Sequence, residues 1–125
     1  MQRILIVEDS ETMRSLLASS LEELDVPVKV SEAASGFEAL RVLPREDFDL
    51  VVTDINMPDI NGLELVSFIR SNERYREIPL VIVSTEGSER DRDRGLELGA
   101  DAYLVKPFDP DALRQVVGDL LSQDR

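Results

Sequence analysis

The chain has 125 residues, 42% of them hydrophobic and 32% charged, which is the size and composition of one globular domain. Its formal net charge of −12 disfavours duplex nucleic acid and anionic membrane surfaces as partners, because most of its surface would repel them. Cysteine and histidine are absent, which excludes disulfides, thiolate zinc sites, imidazole general bases and Ser-His-Asp catalysis. We expect a cytoplasmic protein, since no apolar run approaches the length of a membrane span and an early strand leaves no room for a signal peptide.

The first half of the chain contains two predicted strand–helix units. The run Ile4-Leu5-Ile6-Val7 predicts a strand, and Ser10 is a suitable N-cap for the helix that follows. That helix should end before Pro27 and bury an apolar stripe made of Met13, Leu16, Leu17, Leu21 and Leu24. A second strand is predicted over Val28–Ala33, and Ser35 caps a second helix that the next proline stops. The apolar residues of the second helix are Phe37, Leu40 and Leu43.

Three further strand–helix units are predicted in the second half. The third strand spans 49–53, and a turn at 57–62 leads into a helix that carries Leu63, Leu65, Val66, Phe68 and Ile69. Pro79 opens the fourth strand, and the run 102–105 is the fifth. Asp109 is the N-cap of the last helix, with Pro110 at its first position and apolar residues Leu113, Val116, Val117, Leu120 and Leu121. We expect Phe37, Phe48 and Phe68 to be core residues.

The helix predicted between the fourth and fifth strands differs from the others in its polarity. The segment 86–99 is dominated by charged side chains, and its large apolar residues Leu96 and Leu98 do not share a helical face. Gly95 lowers its helix propensity further. We therefore expect a helix with a weak hydrophobic anchor, which opens locally more readily than its neighbours.

Five βα units joined by right-handed crossovers predict a flavodoxin-like α/β fold. The expected architecture is a doubly wound, five-stranded parallel sheet in the order 2-1-3-4-5 with five helices, and its ligands should bind at the carboxyl ends of the strands. Those ends carry Glu8, Asp9, Asp54, Ser84, Thr85 and Lys106. Carboxylates favour a hard cation such as Mg²⁺, and a hydroxyl and a lysine can bind an oxyanion. This combination indicates phosphoryl chemistry.

Several motifs occur in a characteristic order along the chain. They are Glu8-Asp9, the segment from Asp54 to Gly62, Ser84, Gly99-Ala100-Asp101 and Lys106-Pro107-Phe108. In this order and at these spacings they resemble the CheY-like receiver domains of bacterial two-component response regulators. The resemblance runs from Ile4 to about Leu121, and it implies that residues 1–125 form a single receiver domain.

The resemblance implies how a phosphoryl group would be accepted. Asp54 would take it from a phosphohistidine of a sensor histidine kinase or of a phosphotransfer protein. Asp9, Asp54 and the backbone carbonyl of Asn56 would bind Mg²⁺ directly, and Glu8 would act through a water molecule. Such a protein phosphorylates itself from small donors and dephosphorylates itself, but it is not a turnover enzyme.

The resemblance also implies which residues respond to phosphorylation. Ser84 and Lys106 would each bind a phosphoryl oxygen, and Tyr103 would turn inward when Ser84 moves. From the residues alone, other interpretations stay open: Ser84 as a strand end, Lys106 as a plain salt bridge to Asp54, and Tyr103 as a half-buried strand aromatic.

Three positions near the predicted site should set the lifetime of the phosphoryl group. Thr85 stands where the family often has alanine, and its bulk should slow the access of small donors and water. Asn56 and Glu86 lie two residues beyond Asp54 and Ser84, and their combination resembles chemotaxis regulators. We therefore expect a lifetime of seconds to minutes rather than hours.

The expected partners are proteins. A downstream target should bind the face formed by the fourth helix, the fifth strand and the fifth helix, as in single-domain chemotaxis or motility regulators. Direct binding to nucleic acid or to a membrane is not expected. Asp101 and Arg114 are candidates for a symmetric pairing, but the fourth helix lacks a clear apolar patch, so we expect a monomer or a weak dimer.

Three other functions stay open on the sequence. The chain could be the receiver part of a multidomain regulator, for example one that binds DNA. It could be a Mg²⁺-dependent phosphatase with an aspartyl-phosphate, although enzymes similar to haloacid dehalogenases carry Asp-x-Asp after the first strand, and here Asp54-Ile55-Asn56 follows the third. It could also be a pseudo-receiver that works without phosphate, which the complete set of acids, hydroxyl and lysine argues against.

Overall fold

Five strands alternate with five helices in the computed structural model, which describes residues 1–85 and 87–123. The elements in chain order are β1 (Gln2–Val7), α1 (Glu11–Glu22), β2 (Val28–Ala33), α2 (Gly36–Val42), a 3-10 turn (Leu43–Arg45), β3 (Leu50–Thr53), α3 (Gly62–Ser71), β4 (Leu80–Ser84), α4 (Glu89–Leu98), β5 (Ala102–Val105) and α5 (Pro110–Ser122). None of the helices in these residues is long and apolar enough to cross a membrane.

All strand pairs are parallel, and their order is β2-β1-β3-β4-β5, which confirms the predicted order 2-1-3-4-5. The register aligns Val7 with Thr53, and Ser84 with Val105. Strands β1 and β3 therefore end at the same level. Strands β4 and β5 end together two residues further on, since Thr53 pairs with Ile82, and the residues that follow all four strands meet at one edge of the sheet.

The core has two layers, one on each face of the sheet. Successive residues of β1 alternate between them, so that Leu5 and Val7 face one layer while Ile4 and Ile6 face the other. Helices α2, α3 and α4 cover the first layer, and α1 and α5 cover the second. Because both faces are covered, the residues of β3 and β4 are buried throughout, as the continuous apolar runs predicted.

The helix starts agree with the sequence. Ser10, Ser35 and Asp109 each accept a backbone N–H with their side chains at the predicted N-cap positions. Asn61 adds a capping box with Glu64 at the start of α3, which fixes the end of the turn after β3. These caps determine where the loops at the carboxyl edge of the sheet end.

The prediction of a core position was wrong for two of the three phenylalanines. Phe37 is 57% exposed and Phe68 is 39% exposed, whereas Phe48 is buried as predicted. The inward positions of α2 are taken by Gly36 and Ala39, so Phe37 points away from the sheet. Phe68 packs instead on the rim against Tyr75, with ring centroids 6.4 Å apart.

The predicted stripe of α1 also needs correction. Leu16 is 44% exposed, and the small residue Ser20 is buried in its place, with its hydroxyl donating to the Leu16 carbonyl at 2.8 Å. Leu24 lies beyond the end of α1 but still packs on the core, as Leu43 does from the 3-10 turn. The predicted apolar stripe therefore lies on the correct face of α1, but Leu16 at its edge is exposed to solvent.

Candidate functional site

The strand ends bring together most of the residues that the sequence singled out. Glu8 and Asp9 follow β1, Asp54 follows β3, and Lys106 follows β5. A carboxylate oxygen of each of the three acids lies within 4.8 Å of the others. The sheet order explains this proximity, because β1 and β3 are hydrogen-bonded neighbours.

Asp54 is held rigidly by its surroundings. Its N–H donates to the Val7 carbonyl at 3.1 Å, and its Oδ1 accepts the Ile55 N–H at 2.7 Å. The Thr53 hydroxyl donates to the Asp54 carbonyl at 2.9 Å. The residue is only 7% exposed, so little of it reaches solvent.

The start of α3 lies in direct contact with the Asp54 backbone. The Gly62 N–H donates to the Ile55 carbonyl at 2.7 Å. A Cβ atom at position 62 would lie 2.0 Å from the Asp54 carbonyl oxygen, which is closer than any side chain can approach. Glycine is therefore required here for the loop between β3 and α3 to close on Asp54.

Lys106 bridges the two buried carboxylates. Its Nζ lies 2.5 Å from Glu8 Oε1 and 3.1 Å from Asp54 Oδ2. The second Glu8 oxygen accepts the Ser10 N–H at 3.1 Å. The predicted pairing of Lys106 with Asp54 is thus present in the structure, but Lys106 shares its ammonium with Glu8. The Lys106–Pro107 peptide bond is cis.

The electrostatics of this trio favour a protonated lysine. Burial raises the pKa of the Glu8 carboxyl, and the hydrogen bonds from Lys106 and the Ser10 N–H oppose that shift only in part. Burial alone would lower the pKa of Lys106, but its hydrogen bonds to Glu8 and Asp54 and the attraction of both carboxylates raise it overall. Lys106 therefore stays a cation beside the carboxylates.

The donor set fits a hard divalent cation. Carboxylate oxygens of Glu8, Asp9 and Asp54 meet at one point, and Lys106 alone does not balance three carboxylates. Asp9 is exposed, so the cluster is open to solvent on one side. Asn56 lies two residues beyond Asp54 in the same exposed loop. Mg²⁺ is usually held by one or two carboxylates and keeps several of its waters, which an acidic cluster open to solvent permits.

Ser84 and Tyr103 lie next to the acidic cluster along the sheet. Ser84 is fully buried at the end of β4, and its carbonyl accepts the Lys106 N–H at 2.8 Å. Tyr103 is 7% exposed, so its ring already lies inward, beneath α4. A Cβ atom at Gly95 would lie 3.2 Å from Tyr103 Cδ2, which shows how closely α4 covers the ring.

Two predicted site residues remain, Thr85 and Glu86. Thr85 is exposed, directly after the buried Ser84. Glu86 falls outside the described residues, so its predicted part in dephosphorylation stays a prediction.

Two supporting contacts were missed by the sequence analysis. Arg14 of α1 donates from Nη1 to the Glu8 carbonyl at 2.9 Å. Asp59 accepts the N–H groups of Gly36 and Phe37 at 3.1 and 2.9 Å, which ties the loop after β3 to the start of α2. Neither contact could be predicted, because an arginine on an amphipathic helix and an aspartate in a turn are both typical of solvated surface.

Comparisons with known proteins agree with this geometry. Residues 4–118 match the family model for the response regulator receiver domain. A chemotaxis protein CheY homolog of Campylobacter jejuni is 39% identical over 120 residues, which cover 95% of this chain and 92% of that protein.

Solved structures show the same similarity. The chemotaxis response regulator CheY4 of Vibrio cholerae superposes with a TM-score of 0.86 at 33% identity and covers 96% of this chain and 98% of its own. The receiver domain of a sensor histidine kinase from Pseudomonas aeruginosa, solved with a magnesium ion coordinated in its active-site cleft, has a TM-score of 0.86 at 27% identity, with 98% of both chains covered. This chain belongs to the response regulator receiver domain family.

Proposed function

We propose that Asp54 is the residue at which this receiver domain takes part in phosphorelay signalling. The observation that carries the proposal is the meeting of Glu8, Asp9 and Asp54 within 4.8 Å, with the Lys106 ammonium 3.1 Å from Asp54 Oδ2. Proteins of this family are signalling proteins rather than classical enzymes. The phosphoryl donor is a phosphohistidine of a sensor histidine kinase or of a phosphotransfer protein.

In the proposed reaction an Asp54 carboxylate oxygen forms a bond to phosphorus while the bond between phosphorus and the donor imidazole nitrogen breaks. The imidazole nitrogen keeps the electron pair, and because the other ring nitrogen of the donor carries a proton, the leaving group is neutral histidine. Lys106, already within hydrogen-bond distance of Asp54, stabilises charge on a phosphoryl oxygen as a point cation. The product is an acyl phosphate, which a water molecule can later hydrolyse.

Mg²⁺ is the proposed cofactor. Asp9, Asp54 and the Asn56 carbonyl would hold the ion, and both Glu8 oxygens are already engaged by Lys106 and Ser10, which supports an indirect role for Glu8. When bound, the ion would neutralise charge on the transferring group and on its acceptor. The chain's own contribution is to hold the acids together and to keep Lys106 charged beside them.

Phosphorylation would add a charge of about −1.5 to −2 next to Lys106 and Ser84. Lys106 would then exchange a carboxylate partner for a phosphoryl oxygen, and Ser84 would contribute its hydroxyl to another. Tyr103 packs under α4, so a shift of Ser84 at the end of β4 would reach α4 through this ring. Asn56 and Glu86 would tune self-dephosphorylation to seconds or minutes, and Thr85 at the mouth would restrict small donors.

The proposed output is a protein contact on the face formed by α4, β5 and α5, where Leu96 and Val105 are exposed. Residues 1–125 would act as one receiver domain in the cytoplasm. Asp101 pairs with Arg70, and Arg114 pairs with Glu23 and Asp111, so both candidates for symmetric pairing already have partners within the chain. These internal pairs support a monomer or a weak dimer.

Intact mass spectrometry after incubation with Mg²⁺ and a small phosphodonor tests the proposal. Wild type should gain the mass of one phosphoryl group, and the gain should be absent in Asp54→Asn and absent without Mg²⁺. If wild type gains none while Thr85→Ala gains one, the donor is excluded by Thr85 and the acceptor role stands. An adduct that persists on Asp54→Asn would contradict the assignment of Asp54.

A further inference from the structure

Arg14 lies near the start of α1 but reaches back to the loop that carries the acids. Its Nη1 donates to the Glu8 carbonyl oxygen at 2.9 Å, and its Nε donates to Glu32 Oε1 at 3.1 Å. Its side chain is only 18% exposed, although it leaves a helix that faces solvent on that side. We propose that Arg14 is a positioning residue that aims the Asp9 carboxylate into the metal site, an inference that rests on the proposed function.

The contact acts on the peptide bond between Glu8 and Asp9. The Glu8 carbonyl oxygen belongs to this planar group. A hydrogen bond that fixes the oxygen therefore also fixes the orientation of the peptide plane from which the Asp9 backbone continues. The other side of Glu8 is fixed too, because its N–H donates to the Ala33 carbonyl at 3.0 Å. The Glu8 side chain is held by Lys106 and the Ser10 N–H. Arg14 therefore supplies the constraint that sets the orientation of Asp9.

The shape of the arginine head group explains why this residue suits the task. A guanidinium presents several donors in a fixed fork, so one side chain can hold the Glu8 carbonyl and the Glu32 carboxylate at the same time. Glu32 lies on β2, in register with Ile6 of β1, so the sheet fixes its backbone beside Arg14. A cation near the N-terminus of a helix gains nothing from the helix dipole, so its two acceptors account for its position.

Arg14 has two possible effects on Mg²⁺ binding, and they have opposite signs. As a cation near the site it would repel the metal, so its removal would tighten binding. As the group that orients Asp9 it would support the metal, so its removal would weaken binding. Glu32 already pairs with the guanidinium, which reduces the repulsion. The positioning effect should therefore dominate.

Calorimetric titration of the whole chain with Mg²⁺ measures this directly. We expect Arg14→Gln to bind Mg²⁺ about tenfold more weakly than wild type, the size usual when a residue that orients a metal ligand is lost. Arg14→Lys keeps the charge but cannot serve both acceptors, so it should also bind more weakly than wild type, though less so. Glu32→Gln is the matched control: it keeps a side-chain oxygen that can accept from Arg14 and leaves the donation to the Glu8 carbonyl in place, so it should change the affinity less than about fivefold.

A second readout separates positioning from a general loss of structure. In phosphorylation by a small donor, Arg14→Gln should need more Mg²⁺ for half-maximal rate, while its rate at saturating Mg²⁺ approaches that of wild type. A lower rate even at saturating Mg²⁺, together with a lower unfolding midpoint, would show a structural role only and overturn the proposal.

The calorimetric outcomes also distinguish this proposal from the proposed function. Unchanged or tighter Mg²⁺ binding by Arg14→Gln, with wild type binding normally, would overturn the role of Arg14 and leave the function of Asp54 intact. Wild-type affinity in Arg14→Lys would show that the two-acceptor fork of the guanidinium is not needed, and would overturn that part of the proposal. No Mg²⁺ binding by wild type would overturn both proposals.

Discussion

Helices α4 and α5 flank β5 of the same sheet, yet they are held to it in different ways. Helix α5 buries Leu113, Val117 and Leu120 in the core, whereas α4 buries only Gly95. Leu96 of α4 is 38% exposed, and Leu98 is only partly buried. One βα topology therefore carries both a helix anchored along its length and a helix with almost no hydrophobic anchor.

Helix α4 is held mainly at its ends. Ser88 caps its start by accepting the Asp91 N–H at 3.1 Å. At its other end Gly99 adopts a φ of +121°, a conformation that favours glycine, and Arg70 donates to the Gly99 carbonyl at 2.8 Å. Arg70 also pairs with Asp101 at 3.0 Å. An element held at its ends, with one close contact at Gly95 and little other buried apolar surface along its body, suits a switch that must move at small cost.

The largest expected effect is a difference between two leucine substitutions. Leu113→Ala in α5 should destabilise the protein by about 2–5 kcal/mol, because it removes a fully buried side chain and leaves a cavity. Leu96→Ala in α4 should cost less than about 1 kcal/mol, because that side chain is already partly in water. Urea unfolding of both variants measures the contrast, and equal losses would mean that α4 is anchored as firmly as α5.

Removing the attachment at the end of α4 should have the next largest effect. Arg70→Gln should cost about 1–3 kcal/mol, because Gly99, Ile78 and Asp101 lose a charged donor. Arg74→Gln is the matched control, since Arg74 is 53% exposed, pairs with Asp47 at the surface and lies 5.3 Å from the Tyr75 ring centroid; it should cost less than about 1 kcal/mol. Similar losses for the two arginines, measured by urea unfolding, would argue against a fixed C-terminal end.

Hydrogen exchange tests the looseness of α4 directly. Amides in the body of α4 should exchange at least about tenfold faster than those of α1, because local opening exposes little apolar surface there. Helix α1 is a fair reference, since it buries Leu17, Ala18 and Leu21. Exchange from α4 as slow as that from α1 would refute the weak anchor.

The two interior glycines of these helices should respond to alanine with opposite signs. A Cβ atom at Gly118 in α5 would meet only Leu24 Cδ2 at 4.0 Å, so Gly118→Ala should stabilise by about 0.5–1 kcal/mol through helix propensity. A Cβ atom at Gly95 in α4 would lie 2.9 Å from Ile82 Cδ1 and 3.2 Å from Tyr103 Cδ2. Crowding there should outweigh the propensity gain, so Gly95→Ala should destabilise by about 1 kcal/mol. Thermal unfolding shows both signs, and a stabilising Gly95→Ala would mean that α4 can move away from the sheet freely.

The sequence was sufficient to predict the fold because its signals were local and consistent. Short β-branched runs marked the strands, and Ser10, Ser35 and Asp109 marked the helix starts. The errors at Leu16, Phe37 and Phe68 have one physical cause. Adjacent apolar positions on a short helix differ in direction by only part of a turn, and the packing of the whole layer decides which one is buried.

The sequence was sufficient to predict which residues meet at the candidate site. It was not sufficient to predict how Lys106 divides its hydrogen bonds between Glu8 and Asp54. Strand ends and sheet order place Glu8, Asp54 and Lys106 together. The division of Lys106 between two carboxylates depends on distances of a few tenths of an ångström. The contact from Arg14 to the Glu8 carbonyl involves a backbone acceptor, which has no signature in the side-chain pattern.

The starts of α2 and α4 are held by different groups, and the difference should have a smaller effect on stability. The start of α4 is capped by the neutral hydroxyl of Ser88, whereas the start of α2 is held from outside by the charged Asp59. Backbone N–H groups, that of Phe37 first, lower the pKa of Asp59 to about 2 from an ordinary value of 3.8. A carboxyl with a lower pKa in the folded state contributes stability above its unfolded pKa and loses that contribution as pH falls through its folded pKa.

The stabilising effect of Asp59 should therefore be complete above about pH 5 and should fade as the pH drops from about 4 to 2. Urea unfolding of wild type and Asp59→Asn across this range isolates the contribution, since the other acids are common to both. Asp91→Asn is the control at the start of α4, where a serine hydroxyl caps the backbone and the Asp91 carboxylate accepts that hydroxyl at 2.7 Å. A wild-type advantage over Asp59→Asn that stays constant from pH 7 to 2 would show that the charge of Asp59 does not hold the start of α2, and the contrast between the two helix starts would then rest on packing alone.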